Sequence, residues 1–183
     1  MLKNFSQIKS WIKKNHVTDV ILFGSSVRGK SQPSDVDLCI LIKDSDEKKS
    51  LNLIDSLGIL TDQLKLKSHL NILTSSDFLS GNTLAKTLLQ EGISIKNGKN
   101  FSQIFGLTGK SLFIYSLKHF SPSRRVQFHY LLQGRYGSAG ILKKVSGEFL
   151  GTGSILIPVA HEDLFKEILN QWKVKYTVKH LLI

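Results

Sequence analysis

The chain has 183 residues, 41% apolar and 21% charged, enough apolar material to bury a core and too much for a disordered chain. Its formal charge of +11 and pI of about 9.8 favour a polyanionic partner or substrate. The single cysteine, Cys39, excludes an intramolecular disulfide, and no stretch approaches the roughly 18 apolar residues of a membrane span.

Phe5, Ile8, Trp11 and Ile12 recur at helical spacing over residues 3–14, with lysines between them. This predicts an amphipathic helix rather than a secretory leader, since an h-region and a cleavage site are lacking, and places the chain in the cytoplasm. VTDVILF then reads as a strand. DVDLCILI reads as a second, apolar enough to be covered on both faces. A helix follows over about residues 44–65, with Asp44, Ser45 or Asp46 as its cap, and SHLNILT is a third strand. Ser76 and Asp77 cap a turn or short helix, and NTLAKTLLQEG is a helix stopped by Gly92.

After ISIKNGKN the pattern changes. LFIYSLKHF has the composition of a strand but leaves a helix open. SPSRRVQFHYLLQG is a helix with Ser121 as N-cap, Pro122 at its first position and Gly134 at its end. A glycine-rich loop, GRYGSAG, leads to two short strands, ILKKVSGE and GSILIPV. HEDLFKEILNQW is a further helix and VKYTVKHLLI a last strand. The charge shifts along with the pattern. Residues 1–96 hold 13 Lys/Arg against 10 Asp/Glu, and residues 97–183 hold 12 against 4. Two domains are therefore expected, 1–98 and 108–183.

The chemistry concentrates in FGSSVRGKSQPSDVDLCILI. Carboxylates at i and i+2 of a strand point to one face, so Asp35 and Asp37 project together where a metal can sit. Gly24 and Ser25 close the preceding strand and offer backbone N–H groups and a hydroxyl to a phosphate. Arg28, one helical turn on, faces the same anion.

Gly24-Ser25, Arg28-Gly29 and Ser34-Asp35-Val36-Asp37-Leu38, in this order, resemble the signature of the DNA polymerase beta-type nucleotidyltransferase superfamily. The likeness runs from residue 1 to about residue 75. It implies a palm-like α/β domain with a mixed sheet, an NTP substrate, and Mg²⁺ or Mn²⁺. It further implies nucleotidyl transfer to a hydroxyl, with triphosphate on Gly24, Ser25 and Arg28 and metal on Asp35 and Asp37. The family's third carboxylate would fall in HLNIL, where strand alternation sets Asn71 opposite in face to Leu70 and Ile72. An amide can ligate a metal but cannot act as a carboxylate base. His69, on the same face, and Asp77, just beyond the strand, are the nearby substitutes; an edge-exposed histidine and a helix cap are their simpler roles.

The second half is similar, more loosely, to the thumb of family X DNA polymerases. The likeness rests on Phe120-Ser121, Arg125, Phe128, Gly151, Leu156, Pro158, Glu162-Asp163-Leu164-Phe165, Trp172-Lys173 and Tyr176. It implies a small α+β, thumb-like nucleic-acid-binding domain. Independently, Lys118, Arg124, Arg125, Arg135, Tyr136, Lys143 and Lys144 form a basic stretch interleaved with aromatic residues. Such residues neutralise phosphates and stack on bases. Phe128 and Leu131 read instead as a helix's core face, and Trp172 and Tyr176 as core.

Two functions lead, and a third, an antitoxin-like transferase modifying a partner protein, fits the first domain but leaves the basic second half idle. The first of the leading two is a Mg²⁺-dependent transferase adding NMP to an RNA or DNA hydroxyl. The other is a catalytically impaired relative that binds RNA or a ribonucleoprotein, a protein partner included.

Overall fold

A computed structural model describes residues 2–28, 35–44 and 46–183. Gly29 and Ser34 of the motif, and Ser45 as a helix cap, lie outside the described residues. The chain divides into two compact units, Met1–Thr108 and Gly109–Ile183. No helix among the described residues is long and apolar enough to cross a membrane.

The first unit opens with α1 (Leu2–Lys14), β1 (Asp19–Phe23) and β2 (Val36–Ile42). It continues through α2 (Glu47–Gln63), β3 (Ser68–Thr74), α3 (Ser75–Leu79), α4 (Thr83–Glu91) and β4 (Ile93–Ser94). The strand order is β3-β2-β1-β4, with β1 antiparallel to both β2 and β4, and β2 parallel to β3. The sheet is thus mixed, and its parallel pair is joined by the crossover helix α2, as such pairing requires.

Alternation along β2 feeds two cores. Leu38, Ile40 and Ile42 pack with α1 and α2 through Ile8, Trp11, Ile12, Leu53 and Leu57. Cys39 and Leu41 pack with Ile21, Phe23, Leu73, Ala85, Leu88 and Phe101 on the other face. Phe101 draws residues 99–108 into the first unit, ten residues beyond the end expected from sequence.

The capping chemistry explains where the helices begin. Asp46 accepts the Lys48 N–H at 3.1 Å to start α2. Asn82 accepts the Leu84 N–H at 2.8 Å to start α4. At α3 the cap is Thr74, with Asp77 returning the bond from the third helical position and Ser76 inside the helix.

The second unit comprises β5 (Gly109–Ser116), α5 (Pro122–Gln133), β6 (Gly134–Arg135), β7 (Ser138–Ala139) and α6 (Ile141–Lys144). β8 (Glu148–Gly151), β9 (Ser154–Pro158), α7 (Glu162–Gln171) and β10 (Lys175–Leu182) complete it. The four long strands run antiparallel in the order β10-β5-β9-β8. With α5 and α7 between them, this is the β-α-β-β-α-β order of a ferredoxin-like sheet. Phe113, Phe128, Leu132, Ile155, Ile157, Phe165 and Leu169 fill its core, and Trp172 and Tyr176 pack against it.

Burial that alternates from Gly109 to Ser116 settles LFIYSLKHF as mainly strand. Ser121 and Pro122 start α5 at the expected place, the serine accepting the Arg124 N–H at 3.4 Å. Two expectations are corrected. GRYGSAG is not an open loop but a tight hairpin, β6 paired with β7. ILKK is a helical turn rather than a strand, because it buries Leu142 and the following Val145, three apart, and leaves Lys143 and Lys144 outside.

The buried Glu162 ties α7 to two strands. Ser111 Oγ donates to it at 2.5 Å, His180 Nε2 lies at 2.6 Å and Lys166 Nζ at 2.6 Å. Burial alone would raise its pKa, but these bonds outweigh burial and hold the carboxyl below its usual range.

Candidate functional site

β1 ends at Phe23, whose partner across the ladder is Asp37. The chain then makes a short 3-10 turn, Gly24–Ser26, entered through Gly24 at φ +77°. A β-carbon at Gly24 would overlap Asp37 Oδ2. The loop backbone therefore lies directly against the carboxylate, an approach only glycine allows. Ser25 is half-buried, and among the described residues its hydroxyl makes no hydrogen bond.

Asp35 and Asp37 each meet a side chain from the β3 side, two residues apart. Lys67 Nζ lies 2.8 Å from Asp35 Oδ1, and His69 Nδ1 lies 3.3 Å from Asp37 Oδ1. His69 is paired in register with Asp37, and Asn71 with Cys39. Asn71 thus shares the face that carries Asp37, Cys39 and Leu41, while Leu70 and Ile72 join the opposite core. β3 is an edge strand, which leaves His69 exposed.

Among the described residues no three His, Cys, Asp or Glu side chains gather as a metal group. The candidate donors are the Asp35 and Asp37 carboxylates, with the Asn71 amide two register positions along the face of Asp37. These are the hard oxygens that Mg²⁺ and Mn²⁺ prefer, and such ions take further ligands from water and phosphate. With the Gly24 backbone packed against Asp37, the residues present fit a metal-bound triphosphate.

Arg28 behaves differently from expectation. Its Nη1 donates to both oxygens of Glu91 at 2.9 Å, and the Gly24 N–H donates to the same carboxylate at 2.8 Å. Two donors expected on a triphosphate are thus engaged in holding the loop's shape. Glu91 is nearly inaccessible and joins residues 67 and 63 positions apart. Sequence reading missed it. Its one local signal is an acid in a helix's last turn, where the macrodipole disfavours negative charge.

Asp77 is a cap rather than a substitute base. Its Oδ2 accepts the Thr74 N–H at 2.6 Å and the Thr74 hydroxyl at 2.7 Å, and these bonds lower its pKa. Cys39 is an inert thiol, pushed up to about 12 by burial and then by the charge of Asp77.

The basic residues of the second unit do not form one cluster of similar roles. Arg124 stacks on Phe120 at 4.4 Å and donates to the Trp172 carbonyl at 3.1 Å. Arg125 donates to the carbonyls of Leu117, Lys118 and Phe120, each at 3.1 Å. Arg125 fastens the turn after β5, and Arg124 ties Phe120 of that turn to the end of α7, uses of arginine that a charge count cannot foresee. Arg135 sits between Tyr130 and Tyr136, 5.0 and 4.6 Å from their ring centres, and Tyr136 is 90% exposed. Lys143 and Lys144 project from α6, exposed.

A family model, Polymerase beta, Nucleotidyltransferase, matches residues 6–100. A search of curated proteins finds no match to the chain. Among solved structures, the chain is similar to one in the complex of the tri-AMPylated Shewanella oneidensis HEPN toxin with MNT antitoxin. The identity is 19% and the TM-score 0.39, over 71% of this chain and 92% of that one. It is also similar to a chain of a toxin–antitoxin pair with AMP-PNP, at 20% identity and TM-score 0.41, over 69% and 92%. A third likeness is to the toxin–antitoxin MntA–HepT, at 17% and 0.37, over 70% and 97%.

Proposed function

The chain belongs to the polymerase beta nucleotidyltransferase family, and from that premise we propose that it transfers NMP from an NTP to a nucleic-acid hydroxyl. The observation that carries this reading is the Gly24 turn packed on Asp37, with Asp35 two residues before it. Asp35 and Asp37 would hold Mg²⁺ or Mn²⁺, which when bound neutralises triphosphate charge. Ser25 offers its hydroxyl to a phosphate oxygen, and Glu91, through Gly24 and Arg28, keeps the turn in place for it. The acceptor hydroxyl attacks the α-phosphorus, its proton passes to solvent, and pyrophosphate leaves as the α–β phosphoanhydride bond breaks. Asn71 takes no proton, which makes deprotonation of the acceptor the weak point of the reaction.

One observation favours a second reading, an impaired member acting as an RNA- or ribonucleoprotein-binding protein. Asn71 stands where a carboxylate would serve, and Lys67 and His69 already accompany the two aspartates. Titrating a fluorescent NTP with and without Mg²⁺ separates the two. The transferase reading expects saturable binding, in the range of about 1 μM to about 1 mM usual for substrates, that needs the metal and is lost in Asp35→Asn/Asp37→Asn. Binding that is absent, or indifferent to metal and to both substitutions, supports the second reading instead.

A further inference from the structure

An open groove of about 720 Å³ runs over the second unit, between α5, the end of β5 and the β8–β9 turn. Buried Phe128 and Tyr115 form its floor, and the half-exposed Val126, Tyr130 and Phe149 its rim. The rings of His129 and Phe149 meet edge to face at 5.7 Å. Beyond Tyr130 the surface continues through Arg135 to Tyr136, at the tip of the β6–β7 hairpin.

Charge identifies the occupant. Among the described residues no Asp or Glu lines the groove, whereas Lys118 and Arg125 do. Residues 109–183 hold 11 Lys/Arg against 4 Asp/Glu. Three of the four acids are matched internally: Glu148 lies 3.8 Å from Lys110, and Glu162 and Asp163 share Lys166. The surplus therefore faces outward, beside exposed rings. Tyr136 adds a second indication. It holds φ +45°, costly for a bulky residue, and is 90% exposed, with the Arg135 guanidinium 4.6 Å from its ring centre.

We propose that this groove and the adjoining hairpin seat single-stranded nucleic acid. Bases lie on Tyr130, Tyr136 and Phe149, and phosphates lie on Lys118 and Arg135. Rings can stack only on bases released from a duplex, and every base has a face to offer. The inference names the form of the acceptor, and in that it rests on the transferase reading; the binding itself does not.

The test uses the full chain and labelled oligo(U) and oligo(dT) of about twelve nucleotides, with a duplex of equal length, in fluorescence anisotropy. Wild type is expected to prefer the single strands. Tyr136→Ala and Phe149→Leu should each weaken single-strand binding, about tenfold and a few-fold respectively, without changing the salt slope. Lys118→Gln and Arg135→Gln should each reduce that slope by about 1. Tyr136 is too exposed for its loss to unfold the unit, so the series remains decisive if Phe149→Leu proves unstable. Asp35→Asn/Asp37→Asn should bind as wild type does, whether or not transfer is ever observed. Absence of binding, equal or tighter binding of duplex, indifference to Tyr136→Ala, or loss of binding in the aspartate variant would each overturn the assignment. The first of these leaves the groove to a protein partner.

Discussion

Gly24→Ala is expected to reduce nucleotidyl transfer to about 1% of wild type, with a loss of stability of about 2 kcal/mol. Two penalties meet at this position. A left-handed φ of +77° costs a non-glycine residue about 1–2 kcal/mol. The new methyl would also overlap Asp37 Oδ2, so the carboxylate must leave its place or the turn must move off Glu91. A displacement of about 1 Å at a reacting centre can cost about 10²-fold in rate. Gly81→Ala is the matched control, because Gly81 has the same φ of +77° but open space where the β-carbon would stand. It should reproduce the backbone penalty in thermal melts and leave transfer near wild type. Equal losses of activity in the two variants would show that contact with Asp37 is unimportant.

Asn71→Asp is expected to change activity in the opposite direction, raising the transfer rate by about 10²–10⁴, the usual contribution of a positioned general base. Asn71 already shares a sheet face with Asp37 through the parallel β2–β3 register. A third carboxylate there joins two others, so like-charge repulsion should lower the melting temperature without metal. Mg²⁺ or Mn²⁺ should then restore it, since an ion that binds only the folded state stabilises by mass action. Single-turnover rates and paired melts check both halves. An unchanged rate together with a metal-independent melt would remove residue 71 from the site.

The contrast between these two positions mirrors what could be read from sequence. Gly24, Asp35 and Asp37 were legible because they lie within fourteen residues, and because alternation and turn chemistry act over such distances. DVDLCILI was legible as doubly covered, since an unbroken apolar run has no face to expose, and it feeds two cores. Glu91 was not legible. Its bonds to Gly24 and Arg28 exist only once α4 has packed on the sheet. The same holds for Lys67 beside Asp35, a contact created by the parallel register of an edge strand. In the second unit, Ser121, Pro122 and Gly134 marked the limits of α5 correctly because capping is local. Arg124 and Arg125 read from sequence as free for phosphates, but Arg125 is held by carbonyls of the turn after β5 and Arg124 by the Trp172 carbonyl at the end of α7, partners that only tertiary packing brings together. ILKK was misjudged because four residues carry too little periodicity to separate one helical turn from a short strand.

The most direct measurement is covalent transfer itself. Protein, labelled NTPs, Mg²⁺ or Mn²⁺ and single-stranded RNA or DNA are incubated together, and label on the acceptor is followed over time. The account predicts metal-dependent incorporation that disappears with chelator and in Asp35→Ala/Asp37→Ala. Incorporation no greater than that of the double variant, with every NTP and acceptor tried, would contradict it.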